Sequence, residues 1–335
     1  MIHIAAFICL VLLSLDTLKA QNNCDPLLYG IGRGGLKSFD PYTQTFDTIT
    51  SIFTASGRVE KNALLNGKYY FSDARQKFFE VDLSSGETTN EYPFRRIDFY
   101  FIEPDPCSQK LYGFATNLDT NPRRIEFKSL DPATGEFEVI AHPIDGFAGS
   151  SSRKHFIQNE TYYFHDVGKD SLIAIDLYSG QVVDRIGIGN NSLDLLNAVA
   201  DPGSDGVYGL SKDEDDLYFV RLDLDSKTIE RVTPVAMPFR FPSSNTVTIV
   251  DGIYYCYESI ENHLYGIDIE TGTIVLRYNA GQNTFNFIEA DCSCRQKSLN
   301  VVPTLSEWSM IILFLLLAIF SVVTISTLSI QREMF

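Results

Sequence analysis

Tryptophan is nearly missing from this 335-residue chain: Trp308 stands alone beside 17 Tyr and 24 Phe. A site built on recurring tryptophans is therefore excluded. Positive charge is scarce. The 27 Lys and Arg against 43 Asp and Glu leave a formal charge of −16 and a pI near 4.7, a poor basis for non-specific nucleic-acid binding. Histidine is sparse and scattered. His142, His155, His165 and His263 form no His-x-x-x-His or His-Glu-x-x-His pattern, so no local zinc motif is written in the chain. No Gly-x-Ser-x-Gly elbow is present. The Gly32-Arg33-Gly34-Gly35 turn opens no helix and cannot cradle a phosphate at a helix N-terminus. Helical periodicity is absent from every long segment before residue 310.

The two ends carry targeting signals. Residues 2–15 are almost wholly apolar, and Leu18-Lys19-Ala20 follows with a small residue at its end. This predicts a secretory signal peptide over residues 1–20. Residues 310–330 contain no charge. At about 1.5 Å per residue such a helix crosses a bilayer core of about 30 Å, so a transmembrane helix is expected there.

Just before it stand Val302, Pro303, Thr304, Leu305, Ser306, Glu307 and Trp308. The segment resembles the IPTL-CTERM sorting signal of bacterial surface proteins, with Val302 in place of Ile and Ser309 in place of the usual Gly. The resemblance spans residues 300–335. It implies an exosortase-type membrane transpeptidase as partner, anchoring through the helix before processing, and display at a bacterial cell envelope. Trp308 also suits the membrane interface on its own.

Between the ends, residues 21–299 repeat six times. An aromatic strand start recurs as Leu28-Tyr29-Gly30, Tyr69-Tyr70-Phe71, Leu111-Tyr112-Gly113, Tyr162-Tyr163-Phe164, Val207-Tyr208-Gly209 and Tyr254-Tyr255-Cys256. Each is followed by an apolar run ending in an Asp and a turn, at Asp40, Asp82, Asp131, Asp176, Asp223 and Asp268. A period of 42 to 49 residues suits a propeller blade and not a helical repeat near 34. The fold expected is all-β, a six-bladed β-propeller. Tyr-Gly alternates with Tyr-Tyr, so the ancestral unit reads as two blades copied three times. In each Asp-x-x-[Ser/Thr]-Gly element the Asp caps a turn and the Gly supplies positive φ. One carboxylate per turn is too few for calcium.

The segment Phe287-Ile288-Glu289-Ala290-Asp291 echoes Phe101-Ile102-Glu103-Pro104-Asp105, and no seventh Tyr strand follows it. Blade one starts abruptly at Cys24. The C-terminal strand is therefore expected to complete blade one, which removes open sheet edges. That closure places Cys24 beside Cys292 and Cys294, one of which should bond to it. Five cysteines after residue 20 leave one thiol over, and Cys256 reads as a buried small hydrophobe. The repeats are similar to secreted bacterial propellers of the lactonase-like and quinoprotein-like kinds, a resemblance that implies fold and not activity.

For function, the sequence assigns no catalytic residue, no cofactor and no metal ligand. His165-Asp166, read as a loop pair, is the best acid–base candidate and a weak one. Arg58, Arg95, Arg96, Arg153 and Arg240 fall before the first strands of four blades. They would form a cationic ring that binds carboxylates or sulfates, unless they merely pair with the abundant acids. The expectation is a non-catalytic binding or adhesion module for extracellular glycan or protein. The alternatives are a metal-dependent envelope hydrolase or lactonase with its site in the propeller funnel, and a structural surface component.

Overall fold

A computed structural model describes residues 24–32, 34–51, 62–72, 77–93, 97–117, 124–142, 150–166, 171–188, 195–240, 247–281, 283 and 286–293. All of them belong to one unit, Met1–Arg295. Among them no helix is long and apolar enough to cross a membrane. The expected signal peptide, the sorting motif Val302 to Trp308 and the helix at 310–330 lie outside the described residues.

The fold is an all-β propeller of six four-stranded antiparallel blades. Blade one holds β1 (Cys24–Gly32), β2 (Gly35–Asp40) and β3 (Thr45–Thr50). Blade two is β4 (Asn62–Leu65), β5 (Lys68–Ser72), β6 (Lys77–Asp82) and β7 (Thr88–Pro93). Blade three is β8 (Ile97–Asp105), β9 (Lys110–Asn117), β10 (Arg124–Asp131) and β11 (Glu136–Ala141). Blade four is β12 (Ser150–Gln158), β13 (Thr161–Asp166), β14 (Ser171–Asp176) and β15 (Val182–Gly187). Blade five is β16 (Leu196–Ala200), β17 (Val207–Asp213), β18 (Asp216–Asp223) and β19 (Thr228–Arg231). Blade six is β20 (Val247–Val250), β21 (Ile253–Glu258), β22 (His263–Asp268) and β23 (Ile274–Asn279).

The last strand, β24 (Asn286–Cys292), returns to blade one and pairs with β1, giving the order β24-β1-β2-β3. The innermost strands β24, β4, β8, β12, β16 and β20 touch one another in that cyclic order and close the ring. Cys24 and Cys292 stand opposite each other in the β1–β24 register and are joined by a disulfide.

The core is divided into six apolar clusters, one between each pair of adjacent blades. Tyr and Phe supply their largest side chains, and Tyr69, Tyr162, Tyr254, Phe39, Phe78 and Phe164 are completely buried. Each such ring contributes on the order of 1.5–3 kcal/mol relative to exposure, which is why a ring of thin blades needs so many aromatics.

The turns after β2, β6, β10, β14, β18 and β22 share one geometry. The Asp Oδ1 accepts backbone N–H bonds two and three residues on, as at Asp82 (2.9 Å from both Ser84 and Ser85) and Asp268 (3.2 Å from Glu270, 2.8 Å from Thr271). The residue four after the Asp has positive φ in every blade: Gln44, Gly86, Gly135, Gly180, Lys227 and Gly272. The turn hydroxyls at Asp40 and Asp82, and the backbone amides at Asp176 and Asp223, hold these carboxyls below the usual range.

Candidate functional site

The site grows out of bulges in the inner strands of the odd blades, and β12 of blade four slips as well, between Ser150 and His155. In β8 the register against β9 slips between Tyr100 and Glu103, so Phe101 and Ile102 bulge opposite Gly113. In β16 the slip falls between Leu196 and Val199, so Asn197 and Ala198 bulge opposite Gly209. In β24 residues 287 and 288 bulge opposite Gly30. Phe101 and Asn197 take up the extra residue at φ 53° and 51°.

The glycine is required by this close approach. A Cβ at Gly113 would stand 2.9 Å from the Tyr100 carbonyl, and one at Gly209 would stand 2.7 Å from the Leu196 carbonyl. The following even blade then locks the bulge. The Tyr162 hydroxyl donates to the Phe101 carbonyl at 2.5 Å, and the Tyr254 hydroxyl donates to the Asn197 carbonyl at 2.8 Å. In blades three and five the glycine of Tyr-Gly and the first Tyr of the following blade thus serve the same bulge.

The bulges aim the next residue of each odd blade into the central cavity: Glu289 from blade one, Glu103 from blade three and Val199 from blade five. The even blades supply Asn62, His155 and Val247, one register place earlier, opposite the residue after the second Tyr. All six line one cavity of about 180 Å³. Blades five and six add Asn197 and Thr248 to the same lining, so polar groups come from all six blades, beside the apolar Val199, Val247 and Ile249.

The polar groups pair between neighbours. Asn62 Nδ2 donates to Glu289 Oε1 at 2.7 Å, and His155 Nε2 lies 3.2 Å from Glu103 Oε1. Burial pushes the Glu103 carboxyl up to about 8 and the His155 imidazolium down to about 4. Burial, with the charge of Glu103 added, raises Glu289 well above the carboxylate range. Near neutral pH Glu103 therefore keeps its proton and meets a neutral imidazole. His155 Nδ1 is buried without a hydrogen-bond partner, and the edge of Phe101 packs on the ring with centroids 5.4 Å apart. Among the described residues no group of three or more His, Cys, Asp or Glu is placed to hold a metal ion.

The arginines named from sequence are not gathered by what the structure describes. Arg58, Arg95 and Arg96 lie outside the described residues. Arg153 lies within β12 and not before it, its side chain outside the described set, and Arg240 is exposed between β19 and β20. His165 and Asp166 also differ from expectation. They end strand β13 and are buried, not solvated on a loop, because β13 runs one turn of the pleat further than its aromatic start suggested. Glu103, Glu289, Asn62 and His155 were not singled out by sequence as site residues. The shared Phe-Ile-Glu-x-Asp of the two inner strands was the signal for Glu103 and Glu289; Asn62 and His155 had none.

No family model and no curated protein matches the chain. Solved structures do. A chain of a nidogen/laminin complex superposes with a TM-score of 0.59 at 13% identity, covering 80% of this chain and 99% of that one. TolB from Acinetobacter baumannii gives 0.57 at 11%, covering 81% and 67%. A protein of unknown function from Bacteroides caccae gives 0.52 at 14%, covering 80% and 99%. At these identities the likeness is one of fold.

Proposed function

We propose that this chain is an exported, cell-surface propeller that binds an extracellular glycan or protein without catalysis. One observation carries this reading. The turns between third and fourth strands are four or five residues long in every blade, whereas the connections from one blade to the next run from three residues, between β7 and β8, to fifteen, between β19 and β20. Uniform capped turns on one face and unequal loops on the other are the layout of a rigid scaffold that carries a recognition surface. In the sequence Arg58, Arg95, Arg96 and Arg240 fall in the stretches between blades, and Arg153 falls within β12. They suit an acidic partner. Residues 1–20 would export the chain, and residues 300–335 would present it to an exosortase-type transpeptidase.

The test is an array of acidic glycans probed at low and high salt. Binding should weaken with salt, and Arg95→Glu combined with Arg153→Glu should weaken it further and flatten its salt dependence. Indifference of the wild-type protein to acidic glycans at low salt would remove the arginine surface from the proposal. Truncation after residue 300 should release folded protein into the medium.

The convergence of Glu103, Glu289 and Asn62 in one cavity favours a second reading, a metal-dependent hydrolase. The fit is partial. These residues, with Asn197 and Thr248 from blades five and six, offer oxygen donors of the kind a hard cation takes, but among the described residues no group of three or more His, Cys, Asp or Glu is placed to hold one. A stoichiometric divalent ion in the purified protein, together with hydrolysis lost in Glu103→Gln, would favour this reading over the first.

A further inference from the structure

The central cavity is polar on every side. Each blade in turn contributes one hydrogen-bonding side chain to its lining: Glu289, Asn62, Glu103, His155, Asn197 and Thr248. Apolar side chains, among them Val199, Val247 and Ile249, stand between them. No Lys, Arg or Asp is among the described lining residues. Near neutral pH the lining is also uncharged, because burial keeps the Glu103 and Glu289 carboxyls protonated and the His155 imidazole neutral. An ion entering here would find no opposite charge to offset its lost hydration. A neutral ligand with many hydroxyls loses nothing of the kind, since a protonated carboxyl, an amide and a threonine hydroxyl each donate and accept. The Asn62–Glu289 and His155–Glu103 pairs engage Oε1 of each carboxyl. Each carboxyl keeps its second oxygen for a ligand, and 26% of the Glu103 side chain remains accessible. Size narrows the choice. A cavity of roughly 150 Å³ takes up benzene when its walls are apolar. This one, at about 180 Å³, has room for a six-membered ring, and its walls ask for hydroxyls on that ring.

We propose that this cavity binds one neutral polyhydroxylated six-membered ring, a sugar or cyclitol, with its hydroxyls bonded to side chains of several blades and its C–H groups against Val199, Val247 and Ile249. The site is separate from any partner held by the loops. Hydroxyls distributed around a ring match polar groups distributed around the six blades, and the C–H surface removes the apolar side chains from water.

The experiment is a saturation-transfer NMR titration of the full chain near neutral pH, in a polyoxyethylene detergent that carries no sugar, with myo-inositol and methyl β-D-glucopyranoside. Expected is saturable binding of at least one of them at about 1 mM or tighter. Inositol alone marks a free cyclitol as the source, the glucoside alone marks the end of a glycan chain, and both together mark a site that reads only the ring. Comparisons that need no variant guard against misfolding. Glucuronate and glucosamine should bind at least about tenfold more weakly than the neutral ring, because each brings a charge into an uncharged lining. Cyclohexanol, which keeps the ring and one hydroxyl, should not bind. Glu103→Gln preserves a neutral donor and acceptor and should change the affinity by less than about threefold, whereas Glu103→Leu should weaken it by at least about tenfold. Binding of neither ring at about 10 mM, equal or tighter binding of a charged analogue or of cyclohexanol, or loss of binding in folded Glu103→Gln would each overturn the proposal.

Discussion

Tyr254 is completely buried, and its hydroxyl has one purpose in the structure: it holds the carbonyl of Asn197, a residue in left-handed conformation in the neighbouring blade. Tyr254→Phe keeps the ring and removes the bond, leaving a buried carbonyl to find another donor. The expected cost is about 1–2 kcal/mol in urea unfolding, with no change in secondary structure. At the cavity the same scale gives a pH dependence. Folded Glu103 keeps its proton to about pH 8, whereas the unfolded chain releases it near 4.5. Between those values the folded chain carries more protons, so stability falls as pH rises. His155 acts oppositely: folded it stays neutral to about pH 4, unfolded it protonates near 6.5, so it lowers stability as pH falls through that window. Above 6.5 the carboxyls act without opposition from the imidazole. Melting temperature should decline from pH 6.5 to 8, and Glu103→Gln should flatten that decline. An unchanged slope in the variant would detach the effect from this residue.

At the scale of the element, the Asp-capped turn was fully legible, because its hydrogen bonds are local and its composition is fixed by them. The partner across space was not. Gly180 has φ +67°, and a Cβ there would stand 2.6 Å from the Ile140 carbonyl on β11 of the preceding blade. Gly180→Ala should therefore cost about 2–3 kcal/mol, from backbone strain and the clash together. Gln44 occupies the equivalent position of blade one at φ 55°, and Gln44→Gly should stabilise by about 0.5–1 kcal/mol. Equal effects of the two substitutions in chemical denaturation would contradict this difference between blades. The aromatic motif was legible only in part. Counted from the turn Asp, Tyr29 opposes Ser38 as Tyr70 opposes Glu80. The Tyr of Tyr-Gly therefore matches the second Tyr of Tyr-Tyr. The first Tyr is the residue that reaches back to the bulge, and sequence alone cannot show this because the carbonyl it meets lies about 60 residues away.

At the scale of the whole molecule, the six blades and their closure could be read from spacing and from the echo of one inner strand in another. The cavity could be read only in part: Glu103 and Glu289 share a motif, but the other lining side chains come from separate strands at no fixed interval. Closure depends on the weakest joint of the ring, where β24 meets β1 and the chain ends meet only by non-covalent pairing and the Cys24–Cys292 bond. Any opening of blade one exposes the edges of two strands and the cluster containing Leu28, Phe39 and Ile288. The bond spans 268 residues, for which the chain-entropy account gives more than about 4 kcal/mol. Cys256 is free and buried, and Cys107 is bonded to a cysteine outside the described residues. With residues 1–20 cleaved, as proposed above, elimination leaves Cys294 for it. Non-reducing peptide mapping should yield Cys24 with Cys292 and Cys107 with Cys294, and a Cys24–Cys294 peptide would overturn both assignments. Cys24→Ser with Cys292→Ser should lower the urea midpoint sharply, and proteolysis of that variant should cut first within β24. The ring then loses its covalent closure while five blades keep all four strands, so early cleavage in any other blade would place the weak joint elsewhere.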